Sequence, residues 1–166
     1  MIRTTILGQS CETDCIGCSI IHGNLHIPGG VIFEGKHFIL HQDPEIPIVG
    51  FLIITAKRHV KFVNELVKEE IEELFTMLSF TMNSLKSNEE NIIEHTFIFE
   101  ERSCHLHLLI FPRLEWMSNY PNSISSIRKI MASAKENINI EVINNILLYV
   151  DEMKCRMKLA GQDLQK

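Results

Sequence analysis

The chain of 166 residues is 45% hydrophobic and 22% charged, a balance that fits one globular domain and excludes a disordered or collagen-like polymer. Its Lys and Arg number 16 against 21 Asp and Glu, a formal charge of −5, which disfavours a nucleic-acid-coating surface or a polybasic membrane anchor. A small anionic ligand stays open, because a few local donors can outweigh net charge.

No apolar run reaches the roughly 18 residues a spanning helix needs, and Met1-Ile2-Arg3-Thr4-Thr5 lacks the apolar stretch of a secretory signal. A cytoplasmic location without membrane contact is expected. Five cysteines, three of them between Cys11 and Cys18 and the others at Cys104 and Cys155, do not read as a secreted disulfide framework. The pair in Cys15-Ile16-Gly17-Cys18 is left as metal, redox or chance.

In chain order, residues 1–30 read as irregular, closed by the breaker Pro28-Gly29-Gly30 before a β-like run Val31-Ile32-Phe33. A second run, His37 to His41, ends in Asp43-Pro44-Glu45-Ile46-Pro47, where two prolines forbid helix. Phe51 to Thr55 reads as a third strand of an antiparallel meander. From Asn64 to about Ser87 the period changes. Val67, Ile71, Leu74, Phe75, Leu78, Met82 and Leu85 share a helical stripe opposite Lys68, Glu69, Glu72 and Glu73, which predicts an amphipathic helix covering a sheet. Thr96 to Phe99 and His105 to Phe111 return to strand character, the latter stopped by Pro112. Helices are expected over 123–135 and 141–160, the second presenting Val142, Ile146, Val150, Met153 and Met157 on one face.

In His105-Leu106-His107-Leu108-Leu109-Ile110-Phe111-Pro112 a two-residue period puts His105, His107, Leu109 and Phe111 on one face and Leu106, Leu108 and Ile110 on the other. One face can pack under a helix while the other opens to a ligand. This run resembles the motif of the histidine triad family of nucleotide-binding hydrolases and transferases, His-φ-His-φ-His-φ-φ followed by Pro-Arg, here Pro112-Arg113. The likeness extends to the Cys15/Cys18 pair, the Asp43 loop, the strand ending Thr55-Ala56-Lys57-Arg58-His59-Val60 and the long helix after it, and spans about residues 15–115.

The resemblance implies an α+β fold: an antiparallel β-sheet with a long packed α-helix, usually in a homodimer. The single domain 1–166 would add a C-terminal helical segment over about 120–162. It also implies chemistry at the α-phosphorus of a nucleotide or nucleotide conjugate. The middle histidine, here His107, would attack and form a nucleotidyl-imidazole intermediate; a neutral imidazole keeps a lone pair at cytoplasmic pH and leaves readily once phosphorylated.

Two family histidines are missing. Leu109 stands at the third triad position, and Phe51, in Val49-Gly50-Phe51, replaces the histidine before the third strand. Neither can make the lost hydrogen bond to phosphate. Glu100-Glu101-Arg102-Ser103-Cys104 replaces a Gly-Gln segment, and Arg102 and Ser103 are expected to offer donors to phosphate. The alternative for Arg102 is a solvated turn residue. Asp43 matches a position that binds ribose hydroxyls; its alternative is an Asx turn before Pro44. Ile20, Phe33, Phe38 and Phe51 are candidate walls for the base, each equally explained as core.

Two thiolates do not close a tetrahedral zinc site. By resemblance to bacterial members of the family, His59 and His105 would complete it, giving a structural Cys15/Cys18/His59/His105 zinc. The competing readings are a metal-free pair, with the histidines orienting His107, and a redox motif. His22, His26, His37, His41 and His95 are assigned no chemistry. A rival to the enzyme is a nucleotide-binding sensor with little turnover.

Overall fold

The computed structural model describes residues 1–85, 92–100 and 103–163. A short hairpin, β1 (Ile2–Thr4) and β2 (Ser10–Glu12), precedes α1 (Ile16–Ile21). Residues 1–30 are therefore not irregular as expected; three-residue strands and a six-residue helix fall below the length at which periodicity registers. The main sheet comprises β3 (Phe33–Glu34), β4 (Phe38–Gln42), β5 (Leu52–Ala56), β6 (Ile92–Phe99) and β7 (His107–Leu114), all antiparallel in the order β3-β4-β5-β7-β6. Between β5 and β6 runs α2 (Lys68–Leu85), and α3 (Ile124–Glu136) and α4 (Ile140–Asp163) follow β7.

The period-two alternation of the strands builds different layers on the two faces. Phe38, Leu40, Leu52, Ile54, Leu108 and Ile110 face the core beneath α2 and α4. On the other face Phe51, Ile53, Leu109 and Phe111 pack with Ile130 of α3. The C-terminal segment thus covers both faces. Ile146, Val150, Met153 and Met157 of α4 are fully buried, as their common stripe predicts.

The stripe expected for α2 is rotated. Leu74, Met77, Thr81, Ser84 and Leu85 face inward, whereas Val67, Ile71 and Phe75 are exposed. The reason is Glu70, which is buried and takes a two-point ion pair from Arg58, Nε to Oε1 at 3.0 Å and Nη2 to Oε2 at 2.8 Å. Glu70 also accepts from the Val67 amide at 2.9 Å, capping the helix. The Arg58 guanidinium is the main cause holding the Glu70 carboxyl down to about 2. The pair anchors the loop that carries His59 to the start of α2.

Pro112 does not stop β7 but lies within it, opposite His95. Pairing with β5 has already ended at Leu52 and Ile110, so the missing proline N–H costs no bond on that side. At Gly29 the chain takes φ +70°, and a Cβ there would overlap Val150 of α4; Lys154 donates to the Gly29 carbonyl.

Because Met153 is fully buried in the core that α4 shares with α2 and the sheet while Leu148 on the same helix is 64% exposed, Met153→Ala is expected to lose about 2–5 kcal/mol of stability in urea unfolding. Leu148→Ala should change it by no more than about 0.5 kcal/mol.

Candidate functional site

The Cys15/Cys18 turn, the end of β5 and the entry to β7 converge. Cys15 caps α1, its Sγ accepting from the Cys18 amide at 3.4 Å. His59 Nδ1 lies 3.5 Å from Cys15 Sγ and 3.0 Å from Cys18 Sγ, and His105 Nδ1 lies 3.4 and 3.5 Å from the same two sulfurs. All four ligand atoms fall within 4.8 Å of one another.

The donor set fits a metal. Tetrahedral zinc with bonds of about 2.3 Å to sulfur and about 2.0 Å to nitrogen places S and N about 3.5 Å apart, and three of the four separations match. His105 Nε2 is 2.6 Å from the Ala56 carbonyl, an acceptor only, so Nε2 carries the proton and Nδ1 presents its lone pair to the thiols. A cation enclosed by two thiolates and two such imidazoles would tie the N-terminal segment to β5 and the start of β7. A redox role fits less well, because burial pushes the Cys15 thiol up rather than down.

Gly17 makes room for this arrangement. A Cβ there would stand 2.7 Å from His105 Nδ1, so only glycine lets the ring lie against α1. Gly17→Ala is expected to cut stoichiometric zinc uptake by at least about tenfold, as read by metal analysis after dialysis against a chelator.

His107 opens to the other side. Its Nδ1 is 2.8 Å from the His105 carbonyl, which selects the neutral tautomer with the proton on Nδ1 and the lone pair on Nε2. Beside it lies a pocket of about 480 Å³, lined among others by Asp43, Phe51, Ser103, His107 and Leu109. Of the pocket residues proposed from sequence, Arg102 lies outside the described residues. Asp43 Oδ1 accepts from the Glu45 and Ile46 amides at 2.7 and 2.8 Å, the Asx geometry weighed as its alternative. Burial raises the Asp43 carboxyl to about 6. Ser103 Oγ accepts from the His105 amide at 3.2 Å. Phe51 is wholly buried and meets Phe111 edge to face at 5.1 Å; with Leu109 it forms an apolar wall. Ile20 also lines the pocket, but Phe33 and Phe38 do not: strand alternation turns them into the core on the opposite face.

Sequence reasoning missed His41, which it left without chemistry. The ring is fully buried and lines the pocket. Its Nδ1 donates to the Gln42 carbonyl at 2.8 Å, so Nε2 accepts from the Thr55 hydroxyl, also at 2.8 Å. The signal was available in the alternation that puts Ile39, His41 and Asp43 on one face.

Burial lowers His41 to about 4 from its usual 6.5. The unfolded chain therefore takes up this proton at higher pH than the folded one, and the associated stability is full above pH 6.5 and lost as pH falls toward 4. Asp43 acts in the opposite sense, since its raised value disfavours the fold as pH climbs from 3.8 through 6. His41→Phe should retain roughly 3 kcal/mol more of its pH 7 stability at pH 4 than the wild type does, measured by urea unfolding at both pH values.

No protein-family model and no curated protein matches the sequence. Among solved structures, the chain is similar to a hypothetical histidine triad nucleotide-binding protein from Sulfolobus tokodaii, with TM-score 0.62 and 19% identity over 87% of this chain and 92% of that one. A zinc-bound histidine triad family protein from Mycobacterium smegmatis aligns with TM-score 0.58 and 13% identity over 86% and 96% of the two chains. A Hit-like protein involved in cell-cycle regulation from Bartonella henselae aligns with TM-score 0.58 and 16% identity over 89% and 99%. At these identities the likeness is one of fold: the α+β architecture expected from the motifs is the histidine triad fold.

Proposed function

We propose that this protein binds a nucleotide conjugate and cleaves or transfers it at the α-phosphorus, through a covalent nucleotidyl adduct on His107. The observation that carries the reading is the His107 ring. Its Nδ1 is held by the His105 carbonyl at 2.8 Å, so in the neutral ring the lone pair is on Nε2, beside a pocket large enough for a nucleotide. The Sulfolobus neighbour's description as nucleotide-binding and the Mycobacterium neighbour's as zinc-bound agree with it.

In this reading Asp43 takes the ribose hydroxyls, since its Oδ1 is immobilised by two amides while no described residue donates to Oδ2. Ser103 keeps its hydroxyl proton for a phosphate oxygen, with Arg102 as a further donor. Ile20 and Phe51 offer apolar surface to the base. Zinc held by Cys15, Cys18, His59 and His105 would be structural, fixing the backbone from which His107 projects. No described helix is long and apolar enough to cross a membrane. The expected homodimer would cover the open edge of β6, where Ile93, Phe97 and Phe99 are exposed.

A second reading, nucleotide binding with little turnover, is favoured by the apolar wall of Leu109 and Phe51, which gives phosphate no hydrogen bond where donors would stabilise transferred charge.

The test is to quench the protein in alkali after incubation with an adenylate ester, because a phosphorus–nitrogen bond is acid-labile, and to map adducts by mass spectrometry. Wild type should carry adenylate on His107. His107→Ala should lose the adduct and at least about 1,000-fold in turnover with an unchanged circular dichroism spectrum. A fully active His107→Ala protein would remove the mechanism, and nucleotide binding without adduct or product would establish the second reading.

A further inference from the structure

The reaction proposed above needs a proton delivered to the leaving group, and neither of the positions where the family pattern has histidine can supply one here. Leu109 and Phe51 carry no exchangeable proton. Most polar groups lining the pocket are engaged elsewhere. His41 and Thr55 bond each other at 2.8 Å, Glu45 pairs with Arg3 at 3.4 Å, and Asp43 is bound by its own turn.

Glu100 is different. The pairing of β6 with β7 ends with Phe99 opposite Leu108, and Glu100 follows directly after it, beside the start of β7. Its Oε2 lies 3.9 Å from His107 Nε2. The side chain is 44% exposed, so it can move and exchange protons with water. Glu100 also lines the pocket.

Resting on that reading of His107, we infer that Glu100 is a second catalytic residue, the general acid and then general base of the nucleotidyl transfer. In a near-attack complex the phosphorus stands about 3–3.5 Å from Nε2, and the leaving oxygen lies beyond it, about 5 Å from Nε2. A carboxyl oxygen 3.9 Å from Nε2 reaches that oxygen at hydrogen-bond distance without leaving the pocket.

In the first half-reaction Nε2 bonds to phosphorus and the bond from phosphorus to the leaving oxygen breaks. That oxygen takes the proton of the Glu100 carboxylic acid and departs as a neutral alcohol or phenol. In the second, a water oxygen bonds to phosphorus and the phosphorus–nitrogen bond breaks, its electron pair returning to the imidazole. The water's proton goes to the Glu100 carboxylate. Acid and imidazole are both regenerated, with one water consumed and no redox change. The same carboxyl serves in both halves, as in retaining glycoside hydrolysis.

The experiment compares two esters of adenosine 5′-monophosphate, p-nitrophenyl and phenyl, with wild type, Glu100→Gln and Glu100→Asp. p-Nitrophenolate leaves without a proton; phenolate leaves far less readily. Glu100→Gln is expected to slow the phenyl ester by about 100-fold or more, while the first turnover of the p-nitrophenyl ester changes by less than about threefold. With no base for the incoming water, the adenylyl adduct should accumulate in this variant, and Glu100→Asp should recover part of the phenyl-ester rate. Equal loss on both esters, or no loss on either, overturns the role of Glu100 and leaves the His107 chemistry standing. A wild-type protein that releases neither phenol overturns the nucleotidyl-transfer reading and this assignment together.

Discussion

One residue organises the site from both ends. His105 donates through Nε2 to the Ala56 carbonyl at 2.6 Å, which turns Nδ1 toward Cys15 and Cys18; its own carbonyl accepts from His107 Nδ1 at 2.8 Å. The first bond selects the tautomer of one imidazole and the second selects that of the next. The lone pair facing the cysteine cluster and the lone pair facing the pocket are therefore both oriented by His105, through its side chain and its carbonyl, and a shift of this residue would disturb both. Gly17 against its ring and the Arg58–Glu70 pair behind His59 are the packing that holds it.

The pocket face carries groups that do not favour stability. A fully buried imidazole, a carboxyl raised to about 6 and a buried threonine hydroxyl lie on a sheet face that could have been wholly apolar. Buried polar groups are tolerated when each finds a partner, and His41, Thr55 and Asp43 all do. The opposite face, under α2 and α4, follows the ordinary apolar pattern. The division of labour between the faces of one sheet lets one side hold the fold while the other lines the pocket.

Much of the candidate site was legible because strand periodicity is a local property. His107 and Leu109 share a face because side chains alternate, whatever packs on them. The helix assignments beyond residue 120 survive for the same reason, since the stripe in α4 is set by a period of 3.6. The rotation of α2 was not legible: the apolar stripe of Val67, Ile71 and Phe75 was outcompeted by the buried Glu70, whose ion-pair partner, the half-exposed Arg58, lies 12 residues away in sequence. His41 was overlooked although alternation puts it on the face of Asp43, because only the pairing of β4 with β5 shows that this face lines the pocket.

By itself, the sequence determined the strand that mounts His107, the chain order of the main-sheet strands and long helices, and the Cys15/Cys18 pair. Each depends on short-range periodicity or on a motif whose spacing is written along the chain. Tertiary structure alone decided that His41 shares a pocket with Asp43, that Glu100 stands beside the Nε2 of His107, and that Phe33 and Phe38 lie on the far side of the sheet from them. These depend on cross-strand register and on which face another element covers, and both are fixed only when distant segments pair and exclude water together.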